Sequence, residues 1–143
     1  MDRKEWALLA IAAAQGDFLT PVQLQKSVFL MDRNLQEMLG PSGYDFTPYH
    51  YGPFDARVYD DAELLQLEGA VEIKKAEGDR WSEYSATAAG LIRAEELKAR
   101  IPPDAAAYIG EVVKWARSLT FQQLIRAIYR KYPEMRANSV FSG

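Results

Sequence analysis

Apolar residues recur at helical spacing along most of the chain. The clearest case is 21–39, where apolar positions step by three or four, and Thr20 with Gln23 matches a capping box at its start. Pro21 occupies the first helical position, where its missing N–H costs nothing. The same criteria predict further helices over 3–15, over 55–68 with Asp55 as its cap, over 88–100 after Thr87, from Asp104 onward, and from Thr120 to Tyr132.

Two segments change from helical periodicity to alternation. Apolar and polar residues alternate over 44–48, which predicts a short edge strand because Pro48 cannot donate to a ladder. Gly52-Pro53 then predicts a turn. Residues 71–86 have the pattern of a two-stranded antiparallel ribbon, with Glu77-Gly78-Asp79 as its turn.

This order of elements is that of a winged helix. A chain of 143 residues with 48% hydrophobic residues has the size and composition of one folded domain. We therefore predict a single α+β domain over 1–143, mostly helical, with a small antiparallel sheet. The winged-helix-like part spans 1–100, and a C-terminal helix pair over 104–132 is appended to it and packs on it.

The charge distribution disfavours a nucleic-acid partner. The net charge is −3, and the predicted helix 55–68, which precedes the wing, contains five acidic residues and one arginine, a net charge of −4. The wing, 72–83, carries four acidic and three basic residues. Residues 104–143 hold six Lys and Arg against three Asp and Glu, a net charge of +3. If the protein does bind DNA, we expect a winged-helix transcriptional regulator that dimerises and contacts DNA through these basic helices, as the alternative to a protein-binding function.

The chemistry available to a catalyst is sparse. The sequence has no cysteine and one histidine, His50, with no second ligand at a spacing typical of metal sites. No serine stands in a nucleophile-elbow motif. We therefore expect no enzymatic activity, no metal and no cofactor. No apolar run approaches the ~20 residues of a membrane span, and no signal peptide is evident, so we expect no membrane association and a cytoplasmic location.

Three stretches, in order along the chain, resemble a known family. Leu24–Leu30 is similar to an LQK-L-FL helix start, Tyr49–Phe54 to a Y-YGP(F/Y) turn, and Tyr129–Glu134 to a closing Y-(K/R)-YPE. Together they resemble the Panacea domain group, which includes SocA-like antitoxins and YwgA-like uncharacterised bacterial proteins. The resemblance covers about 5–140. It implies a cytoplasmic bacterial or phage-borne domain that neutralises a toxin by binding it, or delivers it to a protease.

We therefore predict a non-enzymatic protein-interaction module, and its candidate surface is aromatic. Tyrosine and phenylalanine are frequent at the energetic centres of interfaces. The predicted partner-binding residues are Tyr49, His50, Tyr51, Gly52, Pro53 and Phe54, with Gln25 and Lys26 as adjoining exposed positions of helix 21–39. Alternatively, the rings point inward and cover the ends of the helices. The sequence is compatible with a monomer and with a dimer.

Overall fold

A computed structural model describes residues 1–75, 78 and 81–142 of the chain. Within these residues there are six α-helices, five short strands and a final 3₁₀ turn. In chain order they are α1 (Arg3–Ala12), β1 (Phe18–Leu19), α2 (Pro21–Leu39), β2 (Thr47–Tyr49), β3 (Gly52–Phe54), α3 (Arg57–Leu67), β4 (Val71–Lys75), β5 (Ser82–Ala86), α4 (Ala88–Lys98), α5 (Pro103–Ser118), α6 (Phe121–Lys131) and the 3₁₀ turn Pro133–Arg136.

The helix starts follow the capping signals in the sequence. Asp2, Thr20 and Thr120 each accept a hydrogen bond from the backbone N–H three residues on, and the side chain of that residue bonds back to the cap. Thr87 likewise accepts from the N–H of Gly90. The predicted bounds of α2 are confirmed at both ends.

Other helix boundaries differ from the prediction: α4 ends at Lys98 rather than 100, and α3 and α6 each end one residue early. Helix α1 ends at Ala12 rather than 15, because Gln15 and Gly16 adopt left-handed backbone angles with φ of 53° and 86°. Helix α3 begins at Arg57 with Ala56 as its N-cap, and the Asp55 carboxylate, one residue earlier, accepts the backbone N–H of Arg57 at 2.9 Å. Helix α5 begins at Pro103, one residue before the predicted Asp104.

The predicted edge strand is shifted along the chain and pairs with a strand that the sequence did not indicate. Strand β2 is Thr47–Tyr49, and the predicted turn Gly52-Pro53 lies instead in β3, paired antiparallel with β2 around a turn at His50-Tyr51. Pro48 lies opposite Pro53 in this register. Antiparallel pairs alternate between bonded and non-bonded positions, so two facing prolines fit where neither N–H is required.

The second sheet has the strand order β1-β5-β4. The ribbon predicted over 71–86 is confirmed as β4 and β5, which pair from Val71↔Ala86 to Lys75↔Ser82. The turn residues Glu77 and Asp79 lie outside the described residues. Strand β1, only two residues long, pairs with β5 and had no sequence signal. The predicted α+β class is confirmed: three helices precede the ribbon, and the β2–β3 hairpin lies between the second and third.

Helix α2 runs through the hydrophobic core. Its residues from Leu24 to Asp32 are all buried, and it packs along α5 and against α1 and β3. The buried apolar residues of the N-terminal elements and of α5 and α6 form one cluster, with Trp6, Phe29, Ile109 and Ile125 among its members. One face of α2 therefore contacts the C-terminal helices, while another is covered by the β2–β3 hairpin.

Gly90 sets the distance between α4 and the end of α3. A Cβ atom at this position would lie 1.9 Å from the carbonyl oxygen of Ala70, an oxygen that already accepts the N–H of Thr87. Gly110, on the exposed side of α5, has no atom within 4 Å of the corresponding point. The two glycines provide a matched pair for testing the packing.

We expect Gly90→Ala to lower the free energy of unfolding by about 3 kcal/mol, because the new methyl group must displace backbone. Gly110→Ala should raise it by about 0.5–1 kcal/mol through helix propensity alone. Urea denaturation of the two variants and the wild type measures both. A G90A variant as stable as the wild type would contradict this packing.

Candidate functional site

The side-chain amide of Gln25 binds the backbone of Asp55 in both directions. Gln25 Nε2 donates to the Asp55 carbonyl oxygen at 2.9 Å, and the Asp55 N–H donates to Gln25 Oε1 at 3.1 Å. This pair holds the end of β3 on the surface of α2. Gln25 is only 1% exposed, so the expectation that it lies on the exposed face of the helix is wrong: the hairpin covers it.

Lys26 is buried under the same hairpin. It is 3% exposed rather than exposed as predicted, and its Nζ donates to the carbonyl oxygen of Pro53 at 3.1 Å. No carboxylate among the described residues forms an ion pair with it. Desolvation by the surrounding protein lowers the pKa of the Lys26 ammonium to about 7. Lys26 therefore lies in a dry environment, and its hydrogen-bond partner there is a backbone carbonyl oxygen.

Gly52 allows this close approach. Its φ of +102° lies in the left-handed region that favours glycine. A Cβ placed on it would lie 3.4 Å from Lys26 Cε and 3.4 Å from a ring carbon of Tyr129. Gly52 and Pro53 are buried for this reason, and they form the inner edge of the hairpin rather than its contact surface.

The outer part of the hairpin is exposed, which decides between the two orientations that the sequence left open. Tyr49 and Tyr51 are 47% and 44% exposed, and His50 is exposed between them. The Tyr49 ring stacks on His50 at a centroid distance of 4.2 Å and on Phe54 at 4.8 Å. The alternative in which the tyrosine rings point into the core is therefore wrong for Tyr49 and Tyr51.

A cavity of about 650 Å³ opens between this hairpin, the start of α2 and the start of α6. Four aromatic rings of its wall, those of Tyr49, Tyr51, Trp81 and Phe121, are each 43–47% exposed. Tyr51 meets Phe121 edge-to-face at 5.2 Å and so joins the hairpin to α6. The other lining residues are Thr20, Pro21, Val22, Gln23, Gln25, Lys26, Gly52, Phe54, Tyr59, Leu119 and Leu124. Lys26 is the one charged side chain among the described residues that line it.

The C-terminal tail fixes the hairpin from the opposite side, which no sequence signal indicated. The N–H of Val140 donates to the carbonyl oxygen of His50 at 2.9 Å, and Asn138 Nδ2 donates to that of Pro48 at 3.2 Å. Tyr129 Oη donates to Ser139 Oγ at 2.7 Å, which ties the tail to α6. The hairpin is therefore held both by α2 and by the tail.

The three stretches that carry the family resemblance meet at this site. Lys26 contacts Pro53, Tyr129 packs beside Gly52, and the Tyr132 ring packs edge-to-face on Phe29 at 4.9 Å. Residues far apart in the sequence thus build one region around the hairpin.

The other buried charges belong to satisfied structural networks. Asp61 accepts two hydrogen bonds from Arg3, at 2.8 and 3.0 Å, and one from Tyr44 Oη at 2.7 Å. Burial, and then the hydrogen bond to Asp61, raise the pKa of Tyr44. Asp55 accepts from the Arg57 side chain at 2.6 Å. Among the described residues, no three His, Asp or Glu side chains form a group suited to a metal ion.

Comparisons with known proteins add no relative: no protein-family model, curated protein or solved structure matches the chain. None of the helices in the described part of the chain is long and apolar enough to span a membrane.

We expect the burial of Lys26 to make stability depend on pH. Its pKa is about 7 in the folded chain and about 10.4 in an unfolded one, so the unfolded state binds more protons between these values. The contribution of Lys26 to the free energy of unfolding is therefore least favourable below pH 7 and improves as pH rises.

Lys26→Met removes the charge, so its stability advantage over the wild type should fall by about 2–3 kcal/mol between pH 6 and pH 9. Urea denaturation at the two pH values measures this difference. Lys114→Met, at an exposed position of α5, is the control, and its difference from the wild type should stay constant. A K26M advantage that does not change with pH would show that Lys26 is not desolvated.

Proposed function

We propose that this protein is a non-enzymatic, cytoplasmic interaction module that binds a segment of a partner protein in the aromatic cavity. The observation that carries the proposal is the wall of four half-exposed aromatic rings around a cavity of about 650 Å³. Aromatic side chains bury a large area with few rotatable bonds, and concave apolar sites of this volume are typical of ligand pockets.

The preformed geometry of the hairpin supports binding at this surface. Gln25 holds its inner end and the tail residues Asn138 and Val140 hold its turn. Tyr51 and Tyr49 are therefore presented on a backbone that is already ordered. Little entropy is lost when a partner docks, which favours affinity.

The acidic surface of α3 supports a protein partner over DNA. This helix precedes the ribbon and would enter the major groove in a winged-helix reader. Its exposed charged residues include Asp60 and Glu63, and its one basic residue, Arg57, is engaged by Asp55. Such a surface repels phosphates. A DNA-binding regulator that uses the basic C-terminal helices is kept as an outcome of the test.

The resemblance to the Panacea domain group supports the kind of partner. The stretches that carry it contribute Lys26, the hairpin and Tyr129 to the region around the cavity. The resemblance and the cavity therefore point to the same surface. By analogy with the antitoxins of that group, the partner is a toxin or a protease to which a toxin is delivered.

Co-purification from the native host with wild-type, Y51A and L67A baits tests the proposal. Leu67 is 84% exposed and does not line the cavity, so L67A controls for the loss of an exposed apolar side chain. We expect L67A to retain the partner. Y51A should weaken it by about 2 kcal/mol or more, about 30-fold in Kd, if Tyr51 is an energetic centre of the interface.

The melting temperature of Y51A should stay close to that of the wild type, because its ring is almost half exposed. A partner retained equally by Y51A and the wild type would contradict the assignment of the surface. Sub-micromolar binding to a specific duplex, with log K falling at about −0.9 per neutralised phosphate as log salt rises, would favour the regulator instead.

A further inference from the structure

The charge of Lys26, in the lining of the cavity, indicates which chemical group of a partner the cavity binds. Lys26 is the one charged side chain among the described residues lining a mainly apolar and aromatic cavity. Its Nζ has three protons to donate, and the structure gives it one acceptor, the Pro53 carbonyl oxygen. A buried ammonium with an incomplete set of acceptors is costly unless an anion pairs with it.

The rest of the fold shows how this chain treats a buried charge that is structural. Among the described residues, the buried carboxylates of Asp61 and Asp55 are each paired with an arginine, Arg3 and Arg57. The third buried carboxylate, that of Asp32, accepts hydrogen bonds from Ser42 Oγ at 2.6 Å and Gln36 Nε2 at 3.1 Å. Lys26 has no such counter-charge among the described residues. A carboxylate from outside this part of the chain is the group that would complete its pairing.

We propose that the cavity recognises an extended segment of a partner protein. An aspartate or glutamate side chain of this segment pairs with the Lys26 ammonium, and apolar side chains on either side of that residue pack on the aromatic rings. In an extended segment, residues two positions before and after the acidic residue face the same way as its side chain. They would meet Tyr51, Trp81 and Phe121, whose rings are exposed in the wall of the cavity. This inference rests on the proposed function, the binding of a partner protein, and adds which kind of amino-acid sequence the bound segment has.

The pH dependence of binding follows from the groups that face Lys26. Phenols of Tyr49, Tyr51 and Tyr59 line the same cavity, the Tyr129 ring lies beside Gly52, and His50 stacks on Tyr49 at the turn. Burial lowers the pKa of Lys26 in the unbound protein to about 7. Because a carboxylate pairs with the ammonium form, its binding at higher pH must be coupled to the protonation of Lys26. Between about pH 5, where a partner carboxylate is ionised, and pH 7 the Kd should be constant, and above pH 7 it should rise about tenfold per pH unit.

The proposal is tested by selection from a displayed library of random heptapeptides. The peptides are fused at their C-termini, so that the only carboxylates they offer are those of side chains. The wild type should enrich an acidic residue flanked by apolar residues. Lys26→Met, which keeps the length of the side chain without its charge, should enrich apolar residues with no acidic one. Lys114→Met, at an exposed position outside the cavity, should select as the wild type does.

A selected peptide is then synthesised with its acidic residue replaced by the matching amide. We expect this change to weaken binding to the wild type by about 30-fold or more, and to leave binding to K26M unaltered. The comparison on the wild type needs no protein variant, so it holds even if K26M folds poorly. A version with a free C-terminal carboxylate and an amide in place of the acidic side chain should not recover the affinity.

Each other result overturns something specific. No enrichment by the wild type contradicts the proposed function itself. Enrichment of apolar peptides without an acidic residue, or of the same acidic peptides by K26M, overturns the role of Lys26 and leaves the interaction surface standing. Recovery of affinity by the free C-terminus would show that the cavity reads a chain end, and the proposal of an internal acidic residue would be wrong.

Discussion

The two hydrogen bonds between the Gln25 side chain and the Asp55 backbone are the contact on which the geometry of the site depends. A side-chain amide can donate and accept at once, so Gln25 satisfies both backbone groups of a buried residue, as a neighbouring strand would. The bonds fix the end of β3 against α2. The next residue of the helix, Lys26, is thereby covered by Gly52 and Pro53, and the aromatic side chains of the hairpin form the wall of a cavity above it.

The electrostatics of the molecule divide its buried charges into two kinds. The Arg3–Asp61–Tyr44 and Arg57–Asp55 groups are paired and hydrogen-bonded, and they tie the loop after α2 to α3. The third buried carboxylate of the described residues, Asp32, is satisfied by hydrogen bonds from Ser42 and Gln36. Lys26 is desolvated without such a partner among the described residues, which lowers its pKa and costs stability at neutral pH. Groups that disfavour stability are characteristic of sites under functional demand. This contrast, rather than the volume of the cavity alone, distinguishes the site from ordinary surface concavities.

Local signals in the sequence predicted the helices and the ribbon well, because caps and periodicity are local. Thr20, Thr120 and the alternation over 71–86 each act within a few residues of the element they define. Burial of Gln25 and Lys26 could not be predicted in this way. They flank the apolar stripe of α2, and they become buried only because the hairpin folds over that flank of the helix.

The other differences have the same origin. Gly52-Pro53 has the composition of a turn, and it forms a strand because Pro48 takes the facing position in the register. The tail has no periodic pattern, since Asn138 and Val140 hold the hairpin through one amide side chain and one backbone N–H. Non-local hydrogen bonds leave no spacing in the sequence. The aromatic content of 49–54 was the signal for the candidate site, and the structure decides the exposure that the sequence left open: the rings of Tyr49 and Tyr51 are exposed.

Lys26 is a desolvated amine that lines the cavity, and NMR measures its pKa directly. The ¹³Cε resonance of Lys26, assigned by its loss in Lys26→Met, can be followed from pH 5 to 11 in the free protein. The structure predicts a titration midpoint of about 7, because desolvation lowers the pKa of this ammonium. A midpoint near the ordinary lysine value of about 10.4 would show a hydrated side chain, and would contradict both the burial of Lys26 and its role in selecting a partner.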